Sequence, residues 1–208
     1  MATQQEARPM SVAEFMDLPD DGNLHELVRG ELRVMPPPKG VHGLIEAAIE
    51  EAIVRYLYDK ATSLGWDPRA GLAARDRLVG FVAGGEFGIQ FTLPDDPNQI
   101  RGIDAAYVPA DQLADVSWDR KEYFPSVPWL VIEVVSSTDR AGKVMEKVRD
   151  CLDGGARSVW CFYPEQRAVF VYHADGSSCV VRGDDASLAD EELLPGFSVP
   201  LNMMVQLH

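Results

Sequence analysis

Two carboxylates stand where apolar side chains would be expected. In "PWLVIEVVSST" (residues 128–138), six of the seven residues from 129 to 135 are apolar and strand-favouring, and the exception is Glu133. Strand alternation puts Val131, Glu133 and Val135 on one face and Ile132 and Val134 on the other, so both faces read as buried. An unpaired carboxylate there would cost several kcal/mol. Glu133 must therefore be ion-paired, protonated, metal-bound, or placed where the strand opens into a cleft. A structural ion pair is the commonest answer for one buried Glu. Asp104 repeats the oddity inside "GIDAAYV", although Asp is disfavoured in strands and ordinarily caps or turns the chain. Carboxylates projecting from two strands into one cleft would suit a hard divalent cation, which keeps its other positions for water and phosphate.

Basic side chains follow at once. The segment 140–149 carries Arg140, Lys143, Lys147 and Arg149, with Lys143 and Lys147 one helical turn apart on a shared face. A lysine reaching back over the strand end could neutralise a phosphate or orient a water. Lysines at this spacing are more often solvated surface residues.

These residues need elements to position them. "SVAEFMDL" pairs Ser11 with Glu14 as a capping box opening a short helix. "LHELVRGELRVM" reads as a hairpin around Arg29-Gly30, and "PPPKG" (36–40) breaks the pattern. Apolar residues at 41, 44, 45, 48, 49, 52, 53, 56 and 57 predict a helix over 41–58. "GEFGIQFTL" and "RGIDAAYV" are strands around the turn "PDDPN"; residues 110–128 read as a connection with a helical turn. Val144, Val148 and Leu152 predict a helix ending at Gly154-Gly155. "RSVWCFY" and "RAVFVYHA" form a hairpin about "PEQ", with "SSCVVRG" beside them, and "LLPGFSVPL" closes the chain. The expectation is an α/β (α+β) mixed central sheet flanked by helices, with an N-terminal and a C-terminal β-hairpin, in a single domain over residues 1–208.

Composition narrows the class. With 208 residues, 46% hydrophobic and 25% charged, the chain is ordinary globular material with room for a core and a site. Its formal charge of −14 argues against a tight grip on nucleic acid unless a basic strip is segregated on one face. Arg69, Arg75, Arg77, Arg101 and the basic helix are the candidates. "DDASLADEE" (184–192), with five acidic residues and no basic one, reads as a solvated loop. Three cysteines without a C-x-x-C pair suit buried or semi-buried thiols in a reducing compartment. Neither a signal peptide nor a membrane span is apparent, so a cytoplasmic location is expected. Walker, G-x-G-x-x-G, G-x-S-x-G, H-x-x-x-H and H-E-x-x-H patterns do not occur. His25, in the first hairpin, and His42, opening the long helix, are weaker candidates, as are Glu26 and Glu31 flanking the hairpin turn.

Five stretches in order then resemble the Uma2 family, a large bacterial group of endonuclease-like proteins in the PD-(D/E)XK nuclease superfamily. They are "HELVRGELRVMPPPKGVH", "GIDAAYV", "LVIEVVSSTDR", "KVRDCLDGGARSVWCFYPEQRAVFVY" and "LLPGFSVPL". The resemblance runs from about residue 10 to the C-terminus and leaves residues 1–9 as an expected flexible end. It implies a restriction-endonuclease-like sheet and Mg²⁺-dependent (or Mn²⁺-dependent) hydrolysis of phosphodiesters, DNA foremost. Asp104 matches the family's Pro-Asp motif, Glu133 its E-V-x-S motif, and Lys147 a lysine on the following helix. The implied metal ligands are Asp104, Glu133 and the backbone carbonyl of Val134. Glu31 and Glu26 match acidic residues implied to support the metal, and His42 a histidine opening the long helix. Ile103 replaces the usual proline, Lys143 stands where an acidic residue is common, and "EVVSSTDR" lacks a proline. Val135 occupies the position where the wider superfamily carries its lysine, so the basic role falls to Lys147. A homodimer is expected by analogy, since two related sites cut two strands. Two readings compete: a non-catalytic binding or assembly module on a nuclease fold, and a metal-dependent phosphohydrolase of small nucleotides.

Overall fold

The structure, a computed structural model, describes residues 8–35, 40–67, 79–113, 116, 123–183 and 185–205. The capping box at Ser11 is formed and opens helix α1 (Val12–Met16). Strands β1 (Leu24–Val28) and β2 (Glu31–Met35) make the expected hairpin. Arg29 and Gly30 both take positive φ, 51° and 73°, as a two-residue hairpin turn matched to strand twist requires.

Helix α2 (Gly40–Ser63) outruns the expected 41–58; it buries Ile45, Ile49, Ile53 and Leu57 of the foretold stripe, and Ala61 beyond it, but leaves Val41 and Leu44 exposed. The long strands β3 (Gly80–Leu93) and β4 (Asp96–Pro109) pair antiparallel along most of their length. Their turn is tighter than "PDDPN" suggested. Asp96 already belongs to β4, and its carboxylate accepts backbone N–H groups of Arg29 (2.5 Å) and Asn98 (3.2 Å).

On its other edge β4 meets β1 at Leu27↔Ile100, then β5 (Leu130–Val134) at 105–107. Strand β5 runs parallel to β6 (Ser158–Tyr163), and helix α3 (Ala141–Asp153) makes the crossover between them. Strands β7 (Ala168–His173) and β8 (Ser178–Arg182) complete an antiparallel meander. The sheet order is β2-β1-β4-β5-β6-β7-β8, with β3 on β4. This is the expected mixed sheet with helices on both faces. On one, Ile132, Trp160 and Phe162 pack with the α2 stripe; on the other, Val131, Val159 and Cys161 pack with Val148 and Cys151 of α3.

Three expectations change. The acidic segment is not simply a solvated loop: Ser187–Ala189 is strand β9, paired with β10 (Ser198–Pro200) ahead of α4 (Asn202–Val205). Leu188 is fully buried there, and buried Asp190 accepts the Leu193 N–H at 3.0 Å. Cys179 is exposed, whereas Cys151 and Cys161 are buried. Arg101 is 2% exposed and cannot serve a surface strip. Arg69, Arg75 and Arg77 lie outside the described residues, as do most of the break at 36–40 and residues 1–7 of the expected flexible end. Among the described residues, no helix is long and apolar enough to cross a membrane.

Candidate active site

The site begins with a defect in the sheet. Gly84 pairs with Ala105 and Phe87 with Ile103, so Gly85 and Glu86 together oppose the single residue Asp104. That is a β-bulge, which re-aims side chains where it occurs. Gly85 and Glu86 have φ of 72° and 60°, and the Gly85 N–H is held by Glu46 Oε1 of α2 at 2.5 Å. Glu86 is an uncommon residue type at positive φ. Gly102 leaves it room: a Cβ there would lie 3.0 Å from Glu86 Oε2. The first turn of α2 brings His42 to the same place, its Nε2 3.1 Å from Asp104 Oδ2 but without hydrogen-bond alignment. Ligand atoms of His42, Glu86 and Asp104 all lie within 4.8 Å of one another. The Asp104 carboxylate draws the His42 imidazole above its ordinary range, and burial followed by Asp104 raises Glu86.

Across β4 stands the second carboxylate. The ladder register Ala105↔Ile132 places Asp104 opposite Glu133 one step further on. There the Asp104 side chain takes over from the backbone ladder, accepting the Val134 N–H at 2.5 Å. Alternation points Glu133 to the α3 face, where Lys147 Nζ donates to its Oε2 at 2.6 Å. Both side chains are nearly buried, at 13% and 14% exposure. Glu133 Oε1 is buried with no hydrogen-bond partner among the described residues. Burial pushes Glu133 up to about 8; Lys147 opposes this and Asp104 and Glu26 add to it. Lys147 is raised too, because the carboxylates of Glu133, Glu26 and Asp104 outweigh its own burial and keep it charged.

Behind this lies a balanced charge network. Buried Arg101 hydrogen-bonds Glu26, Gln99 and Asp150; Asp150 also accepts from Arg29 and Gln99. Glu26 further accepts the Gly102 N–H and lies 4.0 Å from Lys147.

Of the residues singled out from sequence, Asp104, Glu133, Lys147, Glu26 and His42 converge here. Glu31 does not: it is exposed on β2 and paired with Arg33. Lys143 points outward to Glu146 at 2.9 Å. His25 lies 3.6 Å from Asp21, in the first hairpin. Sequence reasoning missed Glu86, Glu46 and Asp150. Two glycines preceding Glu86 within a strand were the available signal of a bulge. Asp150 falls three residues after Lys147, on the same helix face.

The donor set fits a divalent cation. It offers carboxylate oxygens and an imidazole, leaves Glu133 Oε1 and His42 Nε2 unsatisfied, and carries more negative than positive charge. The fold, with an acidic cluster about Asp104, is of the restriction-endonuclease-like class. The sequence model of the Uma2 family, described as "Putative restriction endonuclease", matches residues 12–203. The chain belongs to the Uma2 family. A solved structure from Anabaena variabilis, described as "a putative nuclease belonging to DUF820", shares the fold with a TM-score of 0.71. It is 18% identical, over 95% of this chain and 98% of that one. No curated protein matches the chain.

Proposed function

We propose that this protein is a divalent-metal-dependent nuclease that hydrolyses phosphodiester bonds of nucleic acid, DNA above all. The observation that carries the reading is the meeting of Asp104 and Glu133 across β4 and β5 with Lys147 of α3. Val135 leaves the position two residues after Glu133 without a base, and Lys147 fills that role from the helix.

Asp104 and Glu133, with the carbonyl of Val134, would hold Mg²⁺ or Mn²⁺. Such an ion, when bound, lowers the pKa of a water and offsets charge on phosphoryl oxygens. The chain's own groups do the rest. Asp104 is fixed through Oδ2 by the Val134 N–H, which would leave Oδ1 for the ion. Glu133 and Glu26 hold the Lys147 ammonium in place, charged, to donate to the attacking water or to a phosphate oxygen. Burial of the Arg101 network behind them keeps that arrangement rigid.

A phosphate backbone needs basic partners on a chain of charge −14. Arg140, which precedes α3, and Lys143 and Arg149 on it are exposed and could supply them. The burial of Arg101 weakens the case for a long duplex track, and favours as second reading a metal-dependent phosphohydrolase of small nucleotides. A cytoplasmic homodimer remains part of the proposal, with mass measurement in solution as its check.

The test is incubation with single-stranded, double-stranded and branched DNA in Mg²⁺ or Mn²⁺. Metal-dependent cleavage, lost in Glu133→Gln, supports the nuclease. Metal binding without cleavage of any nucleic acid favours the phosphohydrolase or a non-catalytic module.

A further inference from the structure

Two donor sets meet at Asp104, and they differ in chemistry and in occupancy by partners. In the all-oxygen set, Glu133 Oε2 is committed to Lys147 at 2.6 Å. In the other, His42 faces Asp104, and no lysine or arginine among the described residues is paired with His42 or Glu86. Among the described residues, no hydrogen bond or ion pair reaches the Glu86 carboxylate. His42 Nε2 is a buried atom with no hydrogen-bond partner, 3.1 Å from Asp104 Oδ2. A simple His–Asp ion pair does not account for this arrangement, because it leaves the nitrogen misaligned and Glu86 unpaired beside a second carboxylate.

We propose that His42, Glu86 and Asp104 form a cation position of mixed nitrogen and oxygen donors that takes a divalent transition metal in preference to Mg²⁺ and fills without Glu133. Three elements build it: the first turn of α2, the β3 bulge and the centre of β4. Their ligand atoms lie within 4.8 Å of one another. The bulge is tied down by Glu46 through the Gly85 N–H, and Gly102 clears space beside Glu86. One imidazole decides the selectivity. Mg²⁺ demands oxygen donors and keeps its waters, whereas imidazole nitrogen suits the later first-row metals. Charge favours a cation of either kind: Glu86, Asp104 and Glu133 lie together against the single ammonium of Lys147.

The inference extends the metal-dependent reading and shares Asp104 with it, so binding and cleavage are measured separately. The probe is Co²⁺, titrated by calorimetry and visible absorption into untagged protein carrying Cys179→Ser, which removes the exposed thiol. Competition with Mg²⁺ gives the preference. The expected result is a tight Co²⁺ position, bound more tightly than Mg²⁺, that persists in Glu133→Gln even if a weaker second one is lost there. His42→Ala and Glu86→Gln each weaken it about tenfold or more. Glutamine preserves the side-chain shape at the positive φ of residue 86. Thermal unfolding in EDTA checks that each variant is folded, and His42→Gln replaces His42→Ala if that one is not. Unchanged Co²⁺ affinity in both the His42 and Glu86 variants overturns the inference. So does loss of Co²⁺ in Glu133→Gln, or equal affinity for Mg²⁺. None of those results bears on the nuclease reading, which stands or falls on cleavage in Mg²⁺ or Mn²⁺.

Discussion

Two sets of charged side chains are buried beside each other against this sheet, and they are balanced differently. Around Arg101 every charge has its complement: Glu26, Asp150, Gln99 and Arg29 close on one another. Around Asp104 the account does not close. Glu86 lacks a partner among the described residues, while Glu133 Oε1 and His42 Nε2 are orphaned. Burying a charge is tolerable only with a partner. The balanced set therefore builds, and the unbalanced set is proposed to hold a cation.

That contrast can be broken in order of effect. Asp104→Asn keeps an acceptor for the Val134 N–H and removes the charge. It should cut cleavage by on the order of 10³-fold in a plasmid or oligonucleotide assay, with little change in melting temperature. An active, metal-binding Asp104→Asn would erase the distinction. Arg101→Met should act through stability instead, costing about 3–5 kcal/mol in urea unfolding because it strands Glu26 and Asp150 without their cation. A neutral result would mean the network contributes no order to the cleft.

A smaller effect concerns acid. Burial pushes Glu146 up, but hydrogen bonds from Arg33 and Lys143 outweigh it and bring it down to about 2 from 4.5. A depressed carboxylate contributes stability that is present above pH 4.5 and lost as pH falls toward 2. Glu146→Gln should flatten the acid limb of the stability profile in that window, by about 1 kcal/mol after solvent screening. The smallest effect belongs to Glu31, exposed and paired with Arg33 away from the cleft. Glu31→Gln should alter stability by less than about 0.5 kcal/mol and leave cleavage unchanged. Lost cleavage would restore Glu31 to the metal-supporting role that the family resemblance implies.

Much of the fold was legible because periodicity is local. The α2 stripe, the Arg29-Gly30 hairpin and the β6–β7 hairpin each follow from residues within a few positions of one another. Glu133 and Asp104 could be singled out because a charge within an apolar run is a local anomaly. Glu86 could not, since its environment is set by a bulge whose partner strand lies 18 residues on, at Asp104. Arg101 misled for the same reason. Its partners Glu26 and Asp150 are 75 and 49 residues away, and only the β1–β4–α3 packing closes them around it. Leu188 shows the inverse case: one buried leucine within an acidic segment is enough to seat a strand against the core.

The unbalanced carboxylates around Asp104 are proposed to hold a divalent cation. Crystals grown without metal and soaked in Mn²⁺ test it most directly, read by anomalous scattering at the manganese edge. A peak within coordinating distance of the Asp104 carboxylate is the expected result. Ordered crystals with no peak at Asp104, Glu86 or Glu133 would contradict it.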